Sequence, residues 1–172
     1  VDGLGLDKFV LVGLSMGGWN SLLYTVEHPE RVEKIVLVDI GPESGAASKA
    51  QRGTRPPTPM EFDGLDVVID WMRQGNPRVT DARLRRDAED KMRQREDGKW
   101  TWKADAALFN TPLTDMTDPD LVERYWKALE MIRCPILEVR GGESVTVGDD
   151  VLQRMGTVAK QFSSVDVAGA GH

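Results

Sequence analysis

An α/β fold organised on a parallel sheet is what this sequence predicts, and three observations carry it. Two short segments, the apolar run Phe9-Val10-Leu11-Val12-Gly13 and Lys34-Ile35-Val36-Leu37-Val38-Asp39 with its unbroken apolar run from Ile35 to Val38, have the character of strands buried on both faces. Between them Met16, Trp19, Leu22, Leu23 and Val26 recur at steps of three and four, the spacing of a helix face. The same alternation returns near the C-terminus, with strands at Pro135 to Arg140 and Ser164 to Val167 around a helical pattern from Asp149 to about Lys160. Strand, helix, strand, given twice, means parallel crossover units.

The opening, Val1-Asp2-Gly3-Leu4-Gly5-Leu6-Asp7-Lys8, reads as the tail of a helix running into the first strand. The first helix spans Met16 to about Glu27 and ends at His28-Pro29, because a residue before proline is pushed out of the helical region. Gly141-Gly142 closes the Pro135 strand. From 41 to 133 the rhythm breaks. A polar loop, Gly41 to Pro59 with Pro56-Pro57, precedes helical pieces near Leu65 to Arg73, Asp81 to Arg95 and Leu121 to Ile132. The expected organisation is therefore a partial α/β core, residues 1–40 with 134–172, and an all-helical cap or lid over 41–133. Trp71, Trp100, Trp102 and Trp126 fall in that insertion, as a lid's apolar underside or as its own small core. Arg83, Arg85, Arg86, Lys91, Arg93 and Arg95 interleave with Asp81, Asp87, Glu89 and Asp90, which makes a solvated, salt-bridged face.

Composition narrows the function classes. With 172 residues, 40% hydrophobic and 29% charged, the chain has ordinary globular make-up, and its apolar runs fall far short of the ~20 residues of a membrane-spanning helix. A net charge of −6 argues against nucleic acid as a partner, so neither nucleic acid nor membrane is expected. One cysteine, Cys134, cannot form an internal disulfide, and with two histidines it cannot build a Cys/His zinc site. A reducing, cytoplasmic setting is the expectation. Both ends look cut: the chain begins at Val1 and stops at His172 after Gly169-Ala170-Gly171, so a larger protein is expected.

Gly13-Leu14-Ser15-Met16-Gly17 matches G-x-S-x-G. The bare match is moderate evidence, but here it sits where a buried strand ends and an amphipathic helix begins, the strand-turn-helix setting of a nucleophile elbow. Gly13 and Gly17 would leave room for backbones that approach too closely for a Cβ. Ser15 would stand at the tip, with the Met16 N–H and the helix N-terminus facing an oxyanion formed beside it. A serine hydroxyl needs a base, and two histidines are available. His28 lies at the far end of the helix; about twelve residues at ~1.5 Å each put it roughly 18 Å away. His172 follows the last strand at the edge where open α/β sheets gather ligands, and is the remaining candidate. The imidazole needs an acceptor for its other nitrogen. Asp39 ends the second strand, with turn capping as its alternative role, and Glu143 follows the third.

Taken in order, Gly13-Leu14-Ser15-Met16-Gly17-Gly18, His28-Pro29-Glu30-Arg31-Val32, Val36-Leu37-Val38-Asp39-Ile40-Gly41-Pro42, Cys134-Pro135 and Gly169-Ala170-Gly171-His172 resemble the α/β-hydrolase fold, in particular its capped, esterase-like members with a serine nucleophile. The resemblance spans essentially the whole chain. It implies an eight-stranded sheet of which this chain holds the last four strands, the C-terminal half, with the cap inserted after the second; Ser15 as nucleophile and His172 as general base; and no metal or organic cofactor. Two departures stand out. The family usually presents its acid in the loop after the Pro135 to Arg140 strand, often directly after a serine, yet Ser144 is followed by Val145. Related enzymes place the acid at the end of the preceding strand, so Asp39 comes first, Glu143 second and Asp149 third. The HG-type loop that supplies a second oxyanion donor is absent from the sequence, and losing one such donor costs ~10²–10³ in turnover.

The leading functional expectation is a serine hydrolase acting on a small carboxylic ester or similar acyl compound through an acyl-enzyme. A carbon–carbon bond hydrolase on the same scaffold is the first alternative. A catalytically inactive, hydrolase-like fragment or binding module is the second, and oligomeric state is left open.

Overall fold

A computed structural model describes residues 2–52, 57–75, 77–110 and 118–172. Val1 at the start of the opening segment and Pro56 of the polar loop lie outside the described residues. A 3-10 turn at Asp2–Leu4 stands where a helix tail is expected. The elements then run β1 (Phe9–Leu14), α1 (Met16–Glu27), β2 (Val32–Val38), α2 (Ala46–Arg52), β3 (Glu61–Phe62), α3 (Leu65–Gly75), α4 (Asp81–Lys91), β4 (Met92–Gln94), β5 (Trp100–Trp102), α5 (Ala107–Asn110), α6 (Pro119–Met131), β6 (Ile136–Gly141), α7 (Asp149–Val158) and β7 (Phe162–Val167).

The chain divides into two compact units, Val1–Arg55 with Asp115–His172, and Pro56–Thr114. The first is built on four parallel strands in the order β1-β2-β6-β7, as the crossover pattern predicts. The register is continuous across the sheet: Leu14 faces Val38, Val38 faces Val139, and Val139 faces Val165. Consecutive right-handed crossovers in one direction place their helices on one face. There Leu22 of α1, Tyr125, Trp126 and Leu129 of α6, and Val151 and Met155 of α7 pack on Ile35, Leu37 and Ile136. Helix α6 starts cleanly, because Asp118 accepts the Asp120 N–H and Pro119 needs no partner for its nitrogen.

Two-sided burial of β1, expected from its apolar run, does not occur among the described residues. Val10, Val12 and Leu14 are exposed on the face away from α1, and β1 is an edge strand. The apolar run is real; only one of its faces meets a helix.

The second unit departs from the all-helical insertion predicted over 41–133. Its charged helix α4 stops at Lys91, and the chain continues as β4, pairing antiparallel with β5, which pairs in turn with β3. The hairpin turns at Glu96-Asp97-Gly98, with Gly98 at φ +83° and the Arg95 N–H donating to the Lys99 carbonyl at 2.8 Å. Phe62, Val68, Ile69, Met72, Leu84, Ala88 and Met92 form this unit's own core. Trp71 and Trp102 meet edge to face beside it, at 5.8 Å between ring centroids. The salt-bridged face is present, in Arg83–Asp87 and Arg85–Asp66. Helix α6, with Trp126, belongs to the first unit, because its apolar face is spent on the sheet core.

Candidate active site

The site is assembled where β1, β2 and β6 end. After Leu14 the chain turns so sharply that Ser15 takes φ +52° and ψ −125° before α1 begins at Met16. Ser15 holds the N-cap position, where a serine hydroxyl ordinarily bonds back to the first helical amides. It makes no such bond. Its Oγ faces His172 Nε2 at 3.1 Å instead.

Gly13 makes the turn feasible. A Cβ there would sit 2.5 Å from the Gly17 carbonyl oxygen and 2.5 Å from Ser21 Oγ. Gly17 needs correction: a Cβ at that position meets nothing within 4 Å. The second crowded glycine is Gly18, whose Cβ would fall 2.2 Å from Ile40 Cγ2, because α1 lies against the residue that follows Asp39. The doubled glycine after Met16 was the available signal. The Met16 N–H is the first of α1, one of the amides a helix leaves without an intrahelical acceptor.

Asp39 follows the end of β2 directly and is 2% exposed. Its Oδ2 lies 2.6 Å from His172 Nδ1 and accepts the Ser144 hydroxyl, while Oδ1 accepts the Gly141 N–H at 3.2 Å. Burial pushes this carboxyl's pKa up, but the bonds from His172, Ser144 and Gly141 outweigh it and hold Asp39 below its ordinary value. His172 reaches the pair because the loop after β7 crosses β6 at Gly141. A Cβ on Gly141 would lie 2.7 Å from the Gly171 carbonyl oxygen.

The structure therefore brings Ser15, His172 and Asp39 into one hydrogen-bonded line. The other carboxylates considered stand elsewhere. Asp149 is paired to Arg140 Nη1 at 2.6 Å, and Glu143 is an exposed residue whose N–H donates to the Ala170 carbonyl. His28 caps the end of α1, its ring against Tyr24.

Two residues of the site were given no role from the sequence. Ser144 bonds Asp39 directly. Glu138, in the middle of β6 and 0% exposed, accepts the Ile40 N–H at 3.2 Å through Oε1, while Oε2 has no partner among the described residues. Burial, and secondarily the nearby Asp39 charge, push its pKa up to about 8, against the opposing effect of the Ile40 N–H. A lone acid inside the apolar run Ile136-Leu137-Glu138-Val139 was the signal for it.

A hydroxyl, an imidazole and a buried carboxylate in this order can pass the hydroxyl proton to the ring while the carboxylate stabilises the resulting charge. Comparison with known proteins gives the arrangement its context. A family description of the alpha/beta hydrolase fold matches residues 1–133. The chain belongs to the alpha/beta hydrolase fold family. Among curated hydrolases, esterase Rv0045c of Mycobacterium tuberculosis is 26% identical over 169 residues, covering 94% of this chain and 54% of the esterase. Its crystal structure superposes with a TM-score of 0.72 at 28% identity, over 96% of this chain and 54% of that one. A 2-hydroxy-6-oxo-6-phenylhexa-2,4-dienoate hydrolase of Burkholderia cepacia is 44% identical over 69 residues, 40% of this chain and 21% of the relative. An alpha/beta hydrolase of Novosphingobium aromaticivorans shares the fold, with a TM-score of 0.76 at 21% identity over 99% of this chain and 61% of that one. The chain thus spans about half the length of the esterase it resembles. Among the described residues no helix is long and apolar enough to cross a membrane.

Proposed function

We propose that the protein is a serine hydrolase that cleaves a small carboxylic ester through an acyl-enzyme. The observation that carries the reading is the single line Ser15 Oγ, His172 Nε2, His172 Nδ1, Asp39 Oδ2, with spacings of 3.1 and 2.6 Å across its two hydrogen bonds. Ser15 Oγ attacks the ester carbonyl carbon as its proton passes to His172 Nε2, and the carbonyl oxygen gains the electron pair opposite the Met16 N–H. Collapse of that tetrahedral adduct breaks the C–O bond to the alcohol, which leaves with the proton from Nε2. Water then attacks the acyl-Ser15 carbonyl, giving its proton to Nε2, and the second collapse releases the carboxylic acid and restores the Ser15 hydroxyl. Asp39 stays ionised throughout, fixing the ring and compensating its transient charge.

The esterase resemblance along nearly the whole chain supports an ester substrate. The stronger but shorter identity to a dienoate hydrolase supports a second reading, in which the same serine and histidine cleave a carbon–carbon bond. Turnover of p-nitrophenyl butyrate against a ring-cleavage dienoate separates the two.

The deciding test is covalent capture of the full-length protein by a fluorophosphonate. Labelling abolished by Ser15→Ala and strongly slowed by His172→Gln is the expected result. A folded protein that takes up no label overturns the enzyme reading in favour of an inactive, binding role.

A further inference from the structure

We propose that Ser144 is a positioning residue for the catalytic carboxylate: by donating its hydroxyl proton to Asp39 Oδ2 it fixes the oxygen that faces His172. This rests on the reading of Ser15, His172 and Asp39 given above.

Asp39 is almost completely buried, so both its oxygens must find donors within the protein. Oδ1 has the Gly141 N–H at 3.2 Å, a long bond to one amide. Oδ2 has His172 and Ser144. A terminal sp³–sp² torsion is broad, so one long bond at Oδ1 holds the carboxylate plane loosely. Ser144 supplies, besides His172, a further fixed point at Oδ2 that does not depend on the ring.

The serine is itself held in an orientation that suits this donation. A hydroxyl has one proton and two lone pairs, and the Thr146 N–H occupies a lone pair of Ser144 Oγ at 3.1 Å. The Ser144 N–H donates to the Gly141 carbonyl at 2.9 Å, and the Thr146 carbonyl accepts the Gly45 N–H at 2.9 Å. At the base of this loop Arg140 pairs with Asp166 through Nε at 2.8 Å and with Asp149 through Nη1 at 2.6 Å. The loop is thereby tied to β7 and α7, and Ser144 meets Asp39 from a rigid support. The ionisable groups around Asp39 are His172, beyond β7, and Glu138, on β6 beneath it.

The test compares Ser144→Ala with Ser144→Thr, which keeps the hydroxyl, in the full-length protein with p-nitrophenyl butyrate as probe. Ser144→Ala is expected to lower kcat/KM about tenfold through kcat, with KM changed by less than about twofold, the scale of a lost hydrogen bond to a charged group. Asp39 loses a bond that favours its ionised form, so the acid limb of the pH profile moves to higher pH. Ser144→Thr restores both. Proton NMR gives a readout independent of turnover: the downfield Nδ1–H resonance of His172, assigned by its loss in Asp39→Ala, shifts in Ser144→Ala and returns in Ser144→Thr. Equal losses in Ala and Thr, or an unmoved pH profile and resonance, overturn the proposal and reduce Ser144 to an anchor of its own loop. Retained activity in Ser15→Ala overturns the underlying triad reading instead, whereas a silent Ser15→Ala beside a wild-type-like Ser144→Ala removes the positioning role alone.

Discussion

Ser15 and Asp39 adopt the same backbone twist, φ +52°, at matching positions on neighbouring strands. Leu14 and Val38 are register partners at the ends of β1 and β2, and the residue after each turns into the left-handed region. The Ser15 N–H still reaches the Val38 carbonyl at 3.3 Å, so the two turns are joined. Positive φ at a residue with a Cβ costs ~1–3 kcal/mol and persists where the surroundings over-determine it. Two such positions one strand apart, bridged by His172, locate the strain at the proposed chemistry.

Replacement of Ser15 separates that strain from the hydroxyl. Ser15→Ala removes the hydroxyl but keeps the unfavourable φ. Ser15→Gly removes both, at a cost of ~0.5–1 kcal/mol in unfolded-chain entropy. Both variants are expected to lose fluorophosphonate labelling, and Ser15→Gly to unfold at higher temperature than Ser15→Ala. A Ser15→Gly variant that melts below Ser15→Ala in calorimetry, as its entropy cost alone dictates, would show that the turn stores no strain.

The elbow glycines are expected to respond very differently. At Gly17 an added methyl meets open space inside a helix, where alanine is favoured by ~1 kcal/mol, so Gly17→Ala should be neutral or stabilising. At Gly13 the methyl collides with backbone at 2.5 Å, and at Gly18 with Ile40 at 2.2 Å, so each alanine forces α1 away from the sheet. Losses of several kcal/mol in urea denaturation are expected there. Gly18→Ala should in addition disturb the backbone next to Asp39, and so lower activity in whatever fraction remains folded.

How much of this was legible beforehand follows from the range of the interactions. The parallel strands and α1 are written locally, in apolar runs and a 3.6-residue period, and the sequence reading matches them closely. Ser15 was legible from its motif at a strand-helix turn, Asp39 from its place at a strand end, and His172 as the one histidine not carried away by α1. Ser144 and Glu138 were missed because their importance lies in what they touch 105 and 98 positions away in the chain. The hairpin after α4 was missed differently. Asp97-Gly98 beside Trp100-Thr101-Trp102 is a local turn-and-strand signal, but the interleaved charges of 81–95 continued a helical pattern past Lys91, and pairing with β5 decides the matter there. Crowding at Gly18 and space at Gly17 are tertiary facts that a motif cannot rank.

Glu138 makes stability depend on pH in an unusual direction. Its folded-state pKa, about 8, lies above the ordinary carboxylate value, so the folded protein keeps a proton that the unfolded chain releases. The associated stability is fully present below about pH 4.5 and is lost as pH rises through about 8. Asp39 works oppositely: its lowered pKa contributes stability above the ordinary carboxylate pKa, lost as pH falls through the folded value. Glu138→Gln keeps an acceptor for the Ile40 N–H and removes the titration. Urea unfolding between pH 5 and 9 should show wild type losing a few kcal/mol that Glu138→Gln does not lose. Parallel profiles for the two proteins would mean that Glu138 is not protonated in the fold.

The uncovered face of the sheet yields the last expectation, for a chain made of these 172 residues alone. Continuous register sets Leu14, Val38, Val139 and Val165 in one row, and Val12, Val36 and Leu137 in the row before it, all on the face opposite the helices. Val10, Val12, Leu14 and Val165 are exposed, and among the described residues no strand pairs with the outer side of β1. An apolar face continuous with an open strand edge recruits other chains, first by burial and then by backbone pairing. These 172 residues are therefore expected to sediment as aggregates or to melt without cooperativity. Val12→Lys with Val165→Lys should shift them toward monomer, because both charges lie on the exposed face and neither reaches the core around Leu37 and Ile136. A monomeric species with one sharp thermal transition in the unsubstituted chain would show that the single helix-covered face holds the sheet together by itself.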